Sequence, residues 1–226
     1  MARLVFAINF KAYDTAFNER AVEIAREASR ASSRHNNVRI ILIVPGVTIS
    51  KVLPVYEDIY VEHADPLDFG AYTGYLPVSA VKFSGAKGVL VNHSEHKIVY
   101  RDVAKVIEAA SKDGLETMAC ADTPGEASGL AFLRPTFIAI EPPELIGTGV
   151  SVSKAKPEVI TDGVKAVRAV ADIPVLAGAG ITYREDVTRA VELGASGVLL
   201  ASAVMKAKEP GKVIEDFADA LSSVAR

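Results

Sequence analysis

Residues 136–149 read TFIAIEPPELIGTG. The first five are apolar or β-branched, with no polar alternation. A strand with one wet face alternates. A strand that does not alternate is covered on both faces, as in a parallel sheet backed by helices. This run stops on one carboxylate, Glu141, and a loop of unusual make-up follows. Pro142 and Pro143 fix φ at its start, and Gly147 and Gly149, around Thr148, leave its far end free to turn. The run therefore predicts a buried parallel strand that aims one acid out of its C-terminal end, with a hinged loop behind it.

The same kind of run recurs along the chain. Residues 4–9, 38–44, 59–62, 88–91, 116–120, 174–177 and 197–200 are also short, apolar and β-branched. Between them the spacing turns helical. Phe17, Ala21, Ile24, Ala25 and Ala28 form one stripe, and Val103, Val106, Ile107 and Ala110 a second. Val159, Ile160, Val164 and Val167 form a third, and Val213, Phe217 and Leu221 a fourth. Charged residues separate the apolar ones, as on a surface helix. Thr182 and Glu185, three apart after Gly180, read as a capping box that opens a helix. Eight strands alternating with helices predict an α/β fold with a parallel sheet, best closed as a (β/α)8 barrel with some shortened helices. An open doubly wound sheet is the alternative. No linker or low-complexity stretch interrupts the 226 residues, so one domain over residues 1–226 is expected.

Composition narrows the function. Half the residues are apolar and the net charge is −3, which argues against a nucleic-acid partner needing a basic face. The lone Cys120 permits no internal disulfide and suits a reducing, cytoplasmic setting. The N-terminal apolar run is too short for a signal peptide, and no window is long and apolar enough to span a membrane.

In such a barrel the chemistry stands just after the strands' C-terminal ends. Asn9, Phe10 and Lys11 follow the first strand, and Asn92, His93, Ser94 and Glu95 the fourth. Glu141 follows the sixth, Gly178, Ala179 and Gly180 the seventh, and Ala201 and Ser202 the eighth. His93 and His96 do not have the i, i+4 spacing of a helical zinc site, so no metal is expected. The Gly-Ala-Gly turn lacks the third glycine of a dinucleotide fingerprint, and neither Gly-x-Gly piece is a P-loop, so no cofactor is expected. A small-residue turn still offers free backbone N–H groups to an anion, and phosphate commonly sits after the seventh and eighth strands of a barrel. Close packing of turn on strand is the other reading of those glycines. A carboxylate, an imidazole, a lysine and a phosphate cradle suit proton abstraction next to a carbonyl in a small phosphorylated substrate. His35 and His63 are expected to be structural or solvated. Tyr72 and Tyr75, in the long loop GAYTGYLP, are open between a subunit contact and local packing.

Asn9-Phe10-Lys11, His93-Ser94-Glu95 and Glu141-Pro142, with Ile146-Gly147-Thr148-Gly149 behind, together resemble the triosephosphate isomerase family over nearly the whole chain. The resemblance implies Glu141 as the base, His93 as a neutral hydrogen-bond donor, Lys11 as the stabilising cation and Asn9 as an orienting group. It implies Phe10 beside the substrate, Glu95 as the partner of Lys11, and backbone N–H groups near Ile146, Gly180, Ala201 and Ser202 for the phosphate. The loop from Pro142 and Pro143 through Gly147, Thr148 and Gly149 would be a lid, with Glu144 a solvated lid residue. Departures from longer members are plain. There is no tryptophan in the lid, Gly178, Ala179 and Gly180 replace a YGGS-like turn, and Asn92 stands where glycine is usual and His96 where arginine is usual. These features resemble the compact archaeal branch, which implies a homo-oligomer, a tetramer rather than a dimer. Two rivals remain: another phosphate-binding barrel enzyme, such as an epimerase or an aldolase, the latter needing a Schiff-base lysine inside the barrel, and a barrel that binds a phosphometabolite without turning it over.

Overall fold

A computed structural model describes residues 3–225. Met1, Ala2 and Arg226, which the one-domain expectation includes, lie outside the described residues. Eight strands run parallel and close in sequence order: β1 Leu4–Asn9, β2 Val38–Val44, β3 Ile59–Val61, β4 Gly88–Val91, β5 Glu116–Ala121, β6 Phe137–Ile140, β7 Val175–Ala177 and β8 Gly197–Leu200. The closing seam pairs Val5 with Gly197 and Ile8 with Leu200. The open-sheet alternative is thereby excluded. Expected strand limits move by a residue or so. Pro174 has no N–H to give the ladder, and only its carbonyl takes part, accepting from Ile138 N at 3.1 Å.

The strand sequences do not alternate because both faces are buried in different company. Val5, Ala7, Ile41, Ile43, Tyr60, Leu90, Met118, Cys120, Phe137, Ala139, Leu176 and Leu199 fill the barrel interior. Their neighbours Phe6, Ile8, Ile40, Leu42, Ile138 and Ile140 join the helix layer outside. Period two then fixes which strand-end residues face the mouth. Asn9 continues Val5 and Ala7, and Glu141 continues Phe137 and Ala139.

Arg39 closes the opposite end. It donates to Asp58 at 2.8 Å through both Nε and Nη2, and to Glu116 at 2.5 Å, while Tyr60 Oη also donates to Glu116 at 2.8 Å. Burial and the negative charge of Glu116 raise the Tyr60 hydroxyl above the ordinary tyrosine range.

Several helices are one-turn pieces, among them Ile49–Val52, Val152–Ala155 and Ser202–Met205. The first long helix starts at Glu19, capped by Asn18 Oδ1 on Arg20 N. Phe17, assigned to its apolar stripe, therefore lies before the helix and is 41% exposed. The capping box falls one residue later than expected. Helix Arg184–Glu192 is held by Asp186, whose Oδ2 accepts from Thr182 N at 3.1 Å and Tyr183 N at 2.9 Å. Glu185 does not take that place. Asp186 is buried there, with Oδ2 taken by those N–H groups and Oδ1 paired in charge with Lys154 Nζ at 2.7 Å.

Candidate active site

β1, β4, β6, β7 and β8 bring the predicted residues to one rim. Lys11 sits at φ 47°, outside the ordinary range for a non-glycine residue. Its N–H is held by Asn9 Oδ1 at 3.0 Å and its ammonium by Glu95 Oε1 at 2.8 Å. Asn9 therefore braces the turn that carries the cation. The cleft is lined by Asn9, Lys11, Glu141, Ile146, Gly147, Gly180, Ala201 and Ser202. Phe10 is not among them. One residue out of phase with Asn9, it turns into the helix layer and is fully buried there, so it packs and does not face the cleft.

His93 opens a one-turn 3-10 helix, Ser94–His96. Its Nδ1 accepts from Glu95 N–H at 3.1 Å. A nitrogen that accepts carries no proton, so the ring is neutral and its one proton is on Nε2. Nε2 lies 3.3 Å from Glu141 Oε2. Both atoms are buried, and neither has a hydrogen-bond partner among the described residues. A buried polar atom without a partner is costly; here two lie side by side, Glu141 lining the cleft with Lys11 and His93 set behind the lining.

The glycines after β7 have physical reasons that the sequence left open. A Cβ on Gly178 would stand 2.2 Å from Glu141 Cγ, and one on Gly180 would stand 1.8 Å from Val150 O. Gly178 makes room for the acid and Gly180, at φ 68°, for the end of the lid. Close packing accounts for both. The turn keeps an anion-binding capacity too, because the N–H groups of Gly180 and Ile181 have no protein acceptor among the described residues.

The loop after β6, expected to be a lid, is braced at both ends. Pro143–Leu145 forms a 3-10 turn, with Leu145 N donating to Pro142 O at 3.0 Å. Thr148 Oγ1 donates to Leu145 O at 2.9 Å, and Gly147 and Gly149 take φ of 73° and 75°. Val152 N donates to Ala179 O at 3.2 Å, which ties the lid's far end to the turn after β7. Glu144 is exposed, as expected, and pairs with Lys156 across the lid's base.

Three residues given no role at the site from the sequence support it. Asn92 takes φ 63°, the left-handed region that explains why glycine is usual there, and asparagine tolerates it. Its amide donates to Cys120 O at 3.0 Å and Glu126 at 2.8 Å, locking the turn that presents His93. Cys120 is fully buried, and burial, then the neighbouring Glu141 charge, pushes its thiol well above the ordinary range. Lys154 joins the lid's end to Asp186. Asn92 carries a signal in its sequence position; the other two need the fold. His35 meets Glu215 at 3.2 Å, and His63 stacks on His96 with ring centroids 4.3 Å apart. Tyr72 and Tyr75 are 47% and 58% exposed, so local burial is not their purpose.

A family model described as triosephosphate isomerase matches residues 4–220. The chain belongs to the triosephosphate isomerase family. A triosephosphate isomerase of Saccharolobus solfataricus is 47% identical over 214 residues, covering 94% of both chains. One of Sulfurisphaera tokodaii is 44% identical, covering 98% of this chain and 97% of its own. One of Methanothermus fervidus is 41% identical, covering 96% and 98%. The match thus spans the loop after β6 and the whole rim.

Proposed function

We infer that the chain is a triosephosphate isomerase, working as one domain, which interconverts D-glyceraldehyde 3-phosphate and dihydroxyacetone phosphate in glycolysis and gluconeogenesis. One observation carries the reading: a neutral His93 donor and the Glu141 acceptor face each other at 3.3 Å, both without partners. Glu141 takes the proton from one substrate carbon and returns it to the next. Meanwhile His93 Nε2–H donates to the oxygens that gain charge in the enediolate, and Lys11 stabilises that charge. Asn9 and Glu95 hold Lys11 in place. Backbone N–H groups of the Gly180 turn, with Ile146 and the Ala201–Ser202 corner, take the phosphate. The lid of Pro142, Pro143, Gly147, Thr148 and Gly149 excludes water, which protects a phosphorylated enediolate from losing its phosphate. No step in this proposal calls for a metal or cofactor.

The aldolase alternative finds little support. Lys82 lies in the outer helix Val78–Phe83 and Lys87 precedes β4 at the far end of the barrel. The intact acid and imidazole weigh against a barrel that only binds. A cytoplasmic setting fits the lone buried cysteine and the lack, among the described residues, of a helix able to cross a membrane. A homo-oligomer is supported by the exposed aromatics Phe69, Tyr72, Tyr75 and Phe83 on one segment; a tetramer before a dimer rests on the resemblance to the compact archaeal branch. The test is a coupled assay on purified protein with either triose phosphate. Turnover is expected, and its absence with 2-phosphoglycolate still bound would favour the non-catalytic barrel. Borohydride trapping of a substrate adduct would favour the aldolase.

A further inference from the structure

β3 ends on an acid that the proposed chemistry does not use. Tyr60 lies inside the barrel, so Glu62, two residues on, faces the mouth from the same side. Its N–H donates to Val44 O at 3.1 Å, which fixes its backbone on the barrel wall. Its Oε1 is shut off from solvent and has no hydrogen-bond partner among the described residues. Two charged groups face it: Lys11, from the loop after β1, and Glu95, from the turn after β4. Residues 45–48, after β2, bring no charge. Next to it on its own strand, His63 lies 3.3 Å from Asp65 and stacks on His96.

Lys11 Nζ lies 2.8 Å from Glu95 and pairs with it, while Glu62 stands within reach of both charges without an ion pair of its own. An anionic substrate adds more negative charge to the same corner. Resting on the isomerase reading above, we propose that Glu62 is a positioning residue that takes up a proton when the phosphorylated substrate binds beside Lys11. The uptake removes one of the two negative charges competing for Lys11, and leaves the ammonium to the substrate. Burial first, then repulsion from Glu95, pushes the Glu62 carboxyl up to about 7, against the pull of the Lys11 N–H and charge. Both forms are therefore present near neutral pH in the free protein. The sign follows. Below about pH 7 Glu62 is already neutral and binding needs no proton. Above it, binding must bring one, and affinity falls by up to about tenfold per pH unit. Turnover of the bound complex is flat over this window, because Glu62 is neutral once substrate is bound.

The experiment compares wild type, Glu62→Gln and Glu62→Asp. KM and kcat are measured from about pH 6 to about pH 9, and titration calorimetry with 2-phosphoglycolate is run near pH 8 in two buffers of different ionisation enthalpy. In wild type, KM rises above about pH 7 while kcat does not follow, and calorimetry shows net proton uptake. Glu62→Gln, permanently neutral, loses the rise in KM and takes up fewer protons than wild type. Glu62→Asp keeps both. The ligand phosphate titrates alike in all three and cancels. Equal pH profiles and equal proton uptake in wild type and Glu62→Gln would overturn the proposal, as would a kcat that carries the whole pH effect. Wild type that binds 2-phosphoglycolate without isomerising a triose would sink the isomerase reading alone, because proton uptake is still read.

Discussion

Gly178→Ala isolates the placement of the base from the stability of the barrel. The added Cβ would sit 2.2 Å from Glu141 Cγ and 2.7 Å from its Cδ and Oε1. Ordinary contact begins near 3.4 Å, so the acid must move by more than an ångström. The obstacle is a side chain with rotatable bonds and not backbone, so the fold yields by turning Glu141 aside. Misplacing a reacting group by about 1 Å costs on the order of 10²-fold in rate, or about 2.7 kcal/mol of transition-state stabilisation. Gly178 N still donates to Ile140 O in the variant, because alanine keeps that N–H. The expected result is kcat down about 10²-fold, 2-phosphoglycolate affinity within about threefold of wild type, and a melting temperature lowered by only a few degrees. Steady-state kinetics and a thermal melt read all three. A variant with kcat within about twofold of wild type would refute the claim that this glycine exists to seat Glu141.

Two further predictions concern the phosphate site and the lid's anchor. At about 100 times its Kd, 2-phosphoglycolate stabilises by about 2.7 kcal/mol, which for a chain of this size raises the melting temperature by roughly 5–10 °C; no shift at saturation would count against the phosphate cradle. For the anchor, burial opposes ionisation of Asp186, but the Lys154 ammonium and the N–H groups of Tyr183 and Thr182 outweigh it and hold the carboxyl below the ordinary aspartate range. The stabilisation is therefore full above the unfolded value of about 3.9 and is lost as pH falls through the lower folded value. The melting-temperature gap between wild type and Lys154→Met should hold from about pH 8 to about pH 5 and close only below about pH 4; a gap fading near pH 6 would contradict this assignment.

Residue types carried much of this in plain sight. Runs without alternation gave buried parallel strands, and polar residues at their C-terminal ends gave the rim. Lys11, His93 and Glu141 stood out as candidates because they coincide at one rim, where strand ends of such a barrel carry chemistry; each alone has a bland reading. What escaped depends on distances between parts remote in sequence. Phe10 sits inside the resembling motif, yet strand parity turns it outward to the helices. The choice between Glu185 and Asp186 as the cap turned on a one-residue phase that burial decided. Gly178 and Gly180 looked like an anion turn, and only the approach of Glu141 and Val150 shows why neither tolerates a Cβ. Glu62 closes an apolar run and was given no role from the sequence; that its carboxyl oxygen is buried without a partner among the described residues is visible only in the fold.

The central claim is that Glu141 moves the proton, and Glu141→Asp tests it by removing one methylene. Shortening the side chain withdraws the carboxylate by roughly 1 Å while its charge and the fold remain. In the coupled assay the wild type should turn over both triose phosphates, and the variant should lose at least about tenfold in kcat with an unchanged melt. Equal turnover in the two proteins would contradict the account.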